Sequence, residues 1–395
     1  MRRTACLSAP TRAALTARRS VFHPACNKKM EDSMRRTLCL GILLATSAQL
    51  AAAQSSVTLY GVADIGLEYL SNANAQGDKL FRMTSGNVSG SRWGLRGVED
   101  LGGGAKAVYV LESGFDLDAG TSSQGGRLFG RQAFAGLENQ WGRVTLGRQQ
   151  NALYDLLINY EPMVLAAHYS ALMMDPNFVG RYDNTAKYTG KFGPVTAVAL
   201  YSFARGTTIT SGGASSLASE TAGDLKSDRA FGGGLEYAGG PFGLTLIYDQ
   251  QQGTRGLTGQ NSGQRDRRLA AAGNFSFGSS TLFAGYRWFS GNIGLAATAP
   301  GRRNDVYWLG YRLQATPALS LTAAGYYFND KRSGQDPWSL VGSANYALSK
   351  RTDAFLTIGY ARNRDNSNLG LNGFGSTIAA GQNQTGVTLN LRHKF

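Results

Sequence analysis

The carboxyl end of the chain alternates strictly between apolar and polar residues, and this pattern constrains the fold more than any other feature. Over residues 385–395, one face carries Val387, Leu389, Leu391, His393 and Phe395, with glycine or polar residues between them. A period of two residues predicts a β-strand with one apolar and one polar face. Because the chain stops on this strand, on an aromatic ring, we expect the strand to close a β-barrel.

Similar alternating segments of about ten residues recur through residues 54–395, as in strands that cross a membrane. In one hairpin, the segments 307–313 and 319–327 flank the turn 315–318. No apolar run reaches the roughly 20 residues of a transmembrane helix. Counting strands from Ser56 to Phe395 gives sixteen, in eight hairpins. We therefore predict an all-β protein, a transmembrane antiparallel β-barrel of 16 strands that is wide enough to enclose water.

Two details favour a membrane barrel over a soluble β-sandwich, which could share the alternation. Long polar loops (204–228, 251–266, 290–304 and 364–383) alternate with short turns, as expected of two different rims. Aromatic residues also cluster at both ends of the apolar faces, where girdles would meet the two water–lipid boundaries. Those at the short-turn end are Tyr237, Phe242, Phe277 and Tyr346, and those at the long-loop end are Phe231, Tyr248, Trp288, Tyr327, Trp338 and Tyr360.

The first 53 residues have a different character. Residues 34–53 predict a secretory signal peptide, since Arg35 and Arg36 precede the apolar stretch 38–48 and small residues at 51–53 form a cleavage site. Residues 1–33 fit no part of that pattern, and we interpret them as the product of an upstream start site. A basic pre-extension or transit peptide is the alternative. The predicted domains are therefore residues 1–33, the signal peptide 34–53 and a barrel over 54–395.

Removal of residues 1–53 would also remove Cys6, Cys26 and Cys39, so that residues 54–395 contain no cysteine. That fits export through an oxidising periplasm without a disulfide framework, and it excludes thiol chemistry. The formal net charge would fall from +14 to +7, because the removed segment holds nine Lys or Arg and two Asp or Glu. Much of the basicity thus belongs to the leader, and we expect no nucleic-acid partner.

One connection breaks the pattern of polar loops. Residues 150–180 follow the strand 144–149 and contain many apolar side chains, among them Leu153, Leu156, Leu157, Ile158, Met163, Val164, Leu165, Leu172, Met173 and Met174. A loop that faces solvent would not carry so many. We expect this third loop to fold inward against the barrel wall, where it would bury these side chains and narrow the channel. The alternative is a loop that contacts a neighbouring subunit.

Basic side chains are the second indication of a constriction. Five arginines lie on the strands beside the third loop, namely Arg92, Arg96, Arg131, Arg148 and Arg181. An arginine on the lipid face costs about 2–4 kcal/mol at the bilayer midplane, so we expect these to face the lumen. Opposite them we expect three carboxylates of the loop, Asp155, Glu161 and Asp175.

Such an arrangement has a direct consequence for permeation. Guanidinium groups stay charged and are weakly hydrated, so a cluster of them facing carboxylates would set a transverse field and concentrate anions. The alternative for any single arginine is that it only pairs with a lumenal carboxylate and influences permeation little.

Five segments together resemble the Gram-negative general porins of β-proteobacteria, the Burkholderia, Bordetella and Neisseria type. They are 56–64 (SVTLYGVAD), 91–104 (SRWGLRGVEDLGGG), 130–137 (GRQAFAGL), 144–149 (VTLGRQ) and 392–395 (RHKF). The resemblance covers essentially all of 54–395. It implies a sixteen-stranded barrel in the outer membrane, an inward-folded third loop, and passive diffusion of small hydrophilic solutes.

The same resemblance implies particular residues and partners. Arg92, Arg131 and Arg181 would match the ladder of lumenal arginines in anion-preferring members. Phe395 would be recognised by the outer-membrane assembly machinery, and the protein would form a homotrimer surrounded by outer-membrane lipid and lipopolysaccharide. One departure is that the third loop is richer in Leu and Met than the Gly/Ser-rich loops expected of the family.

Two other classes of function remain to be weighed. An outer-membrane barrel enzyme would need a histidine base, and residues 54–395 contain only His168 and His393, without an evident Ser-His-Asp grouping. We therefore expect no enzymatic activity, and no metal or other cofactor. A porin selective for one solute, such as phosphate or a dicarboxylate, is not distinguished by the sequence from a general anion-preferring pore.

Overall fold

The computed structural model describes residues 56–210, 213–216, 220–296, 298–373 and 376–395. The expected signal peptide (34–53) and the segment before it (1–33) lie outside this range. Sixteen long strands form the body of the molecule. Numbered β1 to β16 in chain order, they are Ser56–Leu70, Arg92–Gly102, Ala105–Asp116, Gln132–Asn139, Gly142–Gln150, Arg181–Phe192, Val195–Ser202, Ala230–Gly239, Phe242–Gln252, Arg265–Phe277, Ser280–Gly291, Arg302–Gln314, Leu319–Asp330, Trp338–Ala347, Thr352–Arg362 and Gln384–Lys394.

Each strand pairs antiparallel with the next, and the sheet closes on itself. The first half of β1 pairs with β2, from Ser56 opposite Val98 to Val62 opposite Arg92. Its second half pairs with β16, from Val62 opposite Lys394 to Leu70 opposite Gly386. Closure gives each of the sixteen strands a partner on both sides, as a membrane requires. The prediction of a 16-stranded antiparallel barrel is confirmed.

The chain terminus lies at this seam. The Gly61 amide donates to the Phe395 carbonyl at 2.9 Å, and the Phe395 amide donates to the Gly61 carbonyl at 3.1 Å. Gly61 has no side chain, and a Cβ there would overlap the Phe395 ring. The aromatic terminus therefore fits against a strand position that only glycine can occupy.

The two faces of the strands meet different surroundings, as their alternation predicts. On β12, Tyr307, Leu309 and Tyr311 are exposed on the outer face, whereas Trp308 on the inner face is buried. Aromatic rings on the outside lie side by side across neighbouring strands near both rims. The ring centroids of Phe242 and Phe275 are 4.8 Å apart at one rim, and those of Trp338 and Tyr360 are 5.8 Å apart at the other.

Short turns connect the strands at one rim, and long loops at the other carry the remaining elements. The turns after β8 and β10 place Gly240 and Gly278 at φ of 58° and 54°, which favours glycine. No helix in the described ranges is long and apolar enough to cross a membrane. The loops contain the short strands Leu80–Ser85, Thr121–Ser122, Thr207–Thr210 and Gly213–Ser216, the helices Ser123–Gly126 and Ala152–Leu157, and the 3-10 turns Ala171–Met173 and Pro176–Val179.

Candidate functional site

The third loop, residues 151–180 between β5 and β6, carries its own small core. Its helix Ala152–Leu157 begins at Asn151, whose side chain accepts a hydrogen bond from the Tyr154 amide at 2.9 Å. Two 3-10 turns follow, with Ser170 and Asp175 as their capping residues. The apolar residues of both turns are buried. The buried loop residues include Leu153, Leu156, Leu157, Met163, Leu165, Leu172, Met173, Met174, Phe178 and Val179.

These side chains pack against an apolar patch on the inner wall of the barrel. Burying a Leu or Met side chain completely contributes about 1.5–3 kcal/mol, so the contact stabilises the loop in this position. The patch explains why the loop can be rich in Leu and Met, because the wall opposite it is apolar as well. The buried wall residues are Val198, Leu200, Ile247, Ala270, Val306, Trp308, Ala324, Tyr326 and Val341, on β7, β9, β10, β12, β13 and β14.

Polar contacts fix the middle of the loop to the same wall. The Trp308 indole donates to the Tyr160 carbonyl at 3.0 Å, and Arg312 Nη2 donates to the Pro162 carbonyl at 2.5 Å. The Tyr160 hydroxyl donates in turn to Glu236 Oε1 at 2.9 Å. All these wall side chains lie on the inner face of their strands. The loop therefore runs inside the barrel, along the wall formed by β8 to β14.

Inward-facing glycines provide recesses for the loop. A Cβ on Gly243 would lie 2.6 Å from the Tyr160 ring, and one on Gly310 would overlap the ring of Pro162. Further along, Tyr169 lies over Gly359 and Gly386 in the same way. Because contacts this short do not occur with real side chains, the loop needs glycine at each of these positions to reach its observed place.

The tip of the loop reaches the seam of the barrel. His168 Nδ1 lies 3.0 Å from Glu68 Oε1 on β1, and the Tyr169 hydroxyl donates to the same carboxylate oxygen at 3.3 Å. Arg82 pairs with the other oxygen of Glu68 at 2.6 Å. His168, one of the two histidines in residues 54–395, thus anchors the loop.

The three loop carboxylates contact groups other than the predicted arginines. Asp155 forms an ion pair with Lys187 on β6 at 2.7 Å. Glu161 is 1 % exposed and accepts hydrogen bonds from the Tyr326 hydroxyl and the Leu165 and Ala171 amides. Burial raises the pKa of Glu161 although these donors oppose it. The Glu161 carboxyl therefore joins two parts of the loop to each other and to Tyr326, and it does not line the channel.

Asp175 also faces away from those arginines. It forms ion pairs with Arg268 on β10 at 2.8 Å and with Arg287 on β11 at 3.1 Å. Burial alone would raise the pKa of the Asp175 carboxyl, but the two guanidinium groups hold it below its usual range. The prediction from sequence considered only the arginines beside the loop. The opposite wall carries Arg268 and Arg287, and these two form the ion pairs with Asp175.

The arginines beside the loop divide into two groups. Arg92, Arg131 and Arg181 line a cavity of about 720 Å³ between the loop and the wall, which we call the open cavity. Arg96 does not line it, and its guanidinium lies over the Tyr60 ring, 5.3 Å from the ring centroid. Arg148 does not line it either, since it donates to the Gly130 carbonyl and pairs with Asp183 at 2.5 Å.

A buried carboxylate positions two of the three lining arginines. Glu112 on β3 pairs with Arg131 at 2.7 Å and with Arg92 at 3.6 Å, and it accepts a hydrogen bond from the Tyr60 hydroxyl at 3.0 Å. Glu112 itself does not line the open cavity. Arg181 donates only a long hydrogen bond, 3.4 Å to the Val179 carbonyl, and its Nε has no hydrogen-bond partner among the described residues.

Three more cations line the same cavity and were not singled out from the sequence. They are Arg312, Arg392 and Lys394. The argument used for Arg92 could have found Arg312, because it alternates with the outward-facing Leu309 and Tyr311. Among the residues that the structure describes, six Lys or Arg side chains and one carboxylate, Asp116, line the open cavity. The cavity is strongly positive.

A second cavity lies on the other side of the loop, at the long-loop end of β9 to β13. It measures about 480 Å³, and we call it the rim pocket. None of its lining residues lines the open cavity. Its charged side chains are Arg205, Arg268, Arg287, Arg302, Asp175 and Asp266. The loop therefore separates two basic regions of different composition.

Comparisons with known proteins agree with this architecture. Residues 41–366 match the model of the family described as Gram-negative porin. The chain is 30 % identical to an outer membrane porin protein of Bordetella pertussis and 31 % identical to outer membrane porin protein 32 of Delftia acidovorans. Each alignment covers 92 % of this chain and 100 % of the relative. The solved anion-selective porin from Comamonas acidovorans superposes with a TM-score of 0.73 at 26 % identity, over 87 % of this chain and 100 % of that one.

Proposed function

This chain belongs to the Gram-negative porin family and forms a channel in the outer membrane, and on that premise we propose that the channel prefers anions. The observation that carries the proposal is the lining of the open cavity, with six basic side chains and one carboxylate. The name of the solved relative from Comamonas acidovorans, an anion-selective porin, supports the same preference. The solutes would be small, hydrophilic and driven by their own concentration gradient.

The proposed residues act through charge and position. Arg92, Arg131 and Arg181 would form one side of the constriction, and Arg312, Arg392 and Lys394 would add to the positive charge of its lining. Guanidinium groups hold their charge at all relevant pH values and are weakly hydrated, so anions exchange quickly along them. A surplus of positive charge in a narrow, low-dielectric passage raises the local anion concentration and repels cations.

The surrounding pairs tune how much of this charge reaches the passage. Glu112 offsets part of the charge of Arg92 and Arg131, while Asp353 pairs with Arg392 at 2.7 Å. Arg181 has no ion pair among the described residues and would be the strongest single contributor. The expected loop acids contribute little to a transverse field, because Glu161 and Asp175 are engaged elsewhere.

The proposal also concerns enzymatic activity and the assembly of the protein. We infer that the barrel is not an enzyme. The contact between His168 and Glu68, which anchors the third loop, supports this inference. We also propose a homotrimer in contact with outer-membrane lipid and lipopolysaccharide, with Phe395 recognised by the assembly machinery. Exposed apolar side chains beside the seam, such as Val57 and Leu59, support a contact there with lipid or a neighbouring subunit.

The test is an electrical recording on the purified protein in a planar bilayer. Under a KCl gradient, the zero-current potential gives the ratio of chloride to potassium permeability. We expect the sign of an anion-selective channel. A potential of cation-selective sign would refute the preference, and the absence of any conductance would refute the channel.

A further inference from the structure

We propose that a basic patch on the outer surface of β10 to β13, at the long-loop rim, binds the phosphate groups of a glycolipid in the surrounding leaflet. The patch consists of Arg265, Arg267, Arg303 and Lys331, and we call it the outer basic patch. The inference rests on the proposed contact with lipopolysaccharide and assigns that contact to particular side chains. It is separate from the ion preference, because none of these four residues lines either cavity.

The arginines of the patch lie on the face of the sheet that points away from the channel. Arg265 and Arg267 share a face of β10 with the exposed Leu269, and Arg303 shares a face of β12 with the exposed Tyr307. Arg265 and Arg303 are themselves exposed, and Arg267 is half-buried. The outer face of these strands is therefore apolar and aromatic in the middle and basic at the rim.

The strand register brings the cations side by side. Arg267 pairs with Ser290 on β11, and Ser290 pairs in turn with Arg303. The Lys331 amide donates to the Arg303 carbonyl at 2.9 Å, so Lys331 continues the same row just beyond the end of β13. Neighbouring strands are about 4.8 Å apart, so the row spans roughly 14 Å. A row of this length can contact a headgroup that is larger than a single phosphate.

Aromatic rings mark the height of the patch relative to the membrane. Trp288 is one same-face step below the row, about 7 Å along the strand, and the guanidinium carbon of Arg267 lies 6.0 Å from its ring centroid. The rings of Tyr286 and Tyr307 follow one step further down, with centroids 5.1 Å apart. Aromatic residues on the outside of a membrane barrel lie at the water–lipid boundary, and long loops lie on the extracellular side. The patch is therefore at the level of the headgroups of the outer leaflet.

The patch carries more positive charge than the carboxylates beside it neutralise. Asp305 pairs with Lys331 at 3.2 Å, and Asp336 accepts a hydrogen bond from the outward-facing Tyr327 hydroxyl at 3.3 Å. Four cations and these two carboxylates leave a formal charge of +2. The three arginines of the patch form no ion pair within the described ranges of the chain. Phosphate groups complement such a surface, because a guanidinium group can donate two parallel hydrogen bonds to one of them.

The position of the patch favours a lipid over a free phosphate ion. The patch is an open surface that does not enclose an ion, so a phosphate in solution has few contacts to gain there. A glycolipid whose acyl chains lie against the apolar face below is held next to the patch, which raises the effective concentration of its phosphates. The apolar face and the cations therefore recognise two parts of the same molecule.

Native mass spectrometry of the detergent-solubilised full barrel tests the assignment, because it counts the bound lipid molecules. The probe is bisphosphorylated lipid A, and the same lipid without its phosphates is the comparison. We expect saturable binding of the phosphorylated lipid to the wild type, and about tenfold weaker binding of the dephosphorylated lipid, since charge-assisted hydrogen bonds are lost.

The double variant Arg267→Gln/Arg303→Gln should bind the phosphorylated lipid about thirtyfold more weakly, since each Lys or Arg near an anionic lipid surface contributes about fivefold. Arg303→Gln alone should lose about fivefold, and it leaves the packing intact because its side chain is exposed. The matched control is Lys350→Gln/Arg351→Gln, which removes two exposed cations from the short turn between β14 and β15 at the opposite rim. The control should bind as the wild type does.

Four outcomes would overturn the proposal. Equal binding of the two lipids by the wild type would show that phosphate is not recognised, and equal loss in the two double variants would show that the patch is not the site. Displacement of the lipid by an equal concentration of inorganic phosphate would indicate a site for the free anion. Dissociation of the oligomer in Arg267→Gln/Arg303→Gln, with lipid binding unchanged, would make this surface an interface between copies of the chain.

Failure of this inference can be distinguished from failure of the proposed function. If the wild type bound neither lipid, the proposed contact with lipopolysaccharide would fail together with the patch. The ion preference is measured separately, and the zero-current potential of Arg267→Gln/Arg303→Gln in a KCl gradient should equal that of the wild type. A shift of that potential would show that the patch acts on permeating ions instead of on lipid.

Discussion

The two sides of the third loop show how the same residue type serves opposite purposes. On the open side, six Lys or Arg side chains meet one lining carboxylate, and the space between them remains free. On the packed side, Asp175 of the loop enters between Arg268 and Arg287 and joins the loop to the wall. Arginines that pair with a loop carboxylate hold the loop in place, whereas the arginines that line the open cavity can interact with the permeating solute.

The difference arises from where the barrel wall is apolar. Inner-face Val, Ile, Ala and Trp residues on β7 to β14 receive the apolar side of the loop, and inward-facing glycines let it approach. The wall around β1 to β6 carries Arg92, Arg131 and Arg181 and gives the loop little apolar surface. The loop therefore lies to one side, and the passage is left beside the arginines.

Breaking the ion pairs of Asp175 should have the largest energetic effect. Asp175→Asn keeps the oxygen that caps the turn Pro176–Val179, but it removes the charge shared by Arg268 and Arg287. Removing one partner of a buried ion pair costs about 3–5 kcal/mol. We expect much faster hydrogen exchange at the amides of 176–179. Asp155→Asn, which loses a pair with Lys187 at the other end of the loop, is the control and should change exchange at 176–179 little. Equal protection in both variants would show that the pairs do not hold the loop.

Filling a glycine recess should unseat the loop by a smaller amount. Gly310→Leu places a side chain where the Pro162 ring now lies, and such overpacking costs about 1–3 kcal/mol. Single-channel conductance should rise, because a displaced loop narrows the passage less. Gly342→Leu on β14 is the matched control, since a Cβ there meets nothing within 4 Å. If Gly310→Leu had the same conductance as the control, the packing of Pro162 against Gly310 would not determine the position of the loop.

Reversing one charge in the open cavity should change selectivity while leaving the fold intact. Arg92→Glu or Arg181→Glu removes one positive charge and adds a negative one. At the distances of a water-filled passage, this changes the energy of a chloride ion by roughly 1 kcal/mol, or about fivefold in the permeability ratio. Arg96→Glu, on the same face but away from the cavity, should shift the zero-current potential less. Unchanged potentials in both Arg92→Glu and Arg181→Glu would remove these residues from the constriction.

Deleting Phe395 should change conduction least of all. Phe395 lies at the seam, where its backbone hydrogen-bonds to Gly61, and it lines neither the open cavity nor the rim pocket. We expect a reduced yield in the outer membrane, and normal conductance for the molecules that do assemble. Phe395→Tyr, which keeps an aromatic ring, is the control. A normal membrane yield of the deletion variant would argue against the terminal residue as an assembly signal.

The sequence predicted the barrel well because its information is local. Alternation over ten residues is enough to define a strand and its two faces, and Arg92 could be assigned to the lumen from Trp93 and Leu95 alone. The same reasoning applied to β12 would have found Arg312. What it could not give is the path of residues 151–180, because that depends on contacts between positions far apart in the chain, such as Tyr160 with Trp308.

The misplaced carboxylates illustrate this limit. Glu161 looked like a channel residue because it is charged, yet its partners Leu165, Ala171 and Tyr326 enclose it. Asp175 was expected opposite the arginines beside the loop, and only the folded loop shows that it pairs with Arg268 and Arg287. A charged side chain on an inward-folded loop can contact either of two walls of the barrel, and the sequence alone does not determine which.

The central claim is that the cations lining the open cavity, and not the total charge of the protein, set the ion preference. The most direct measurement is the zero-current potential in a KCl gradient for two double variants that each lose two arginines. Arg92→Gln/Arg181→Gln should lose most of the anion preference, whereas Arg302→Gln/Arg303→Gln should retain that of the wild type. Equal shifts in the two double variants would contradict the account.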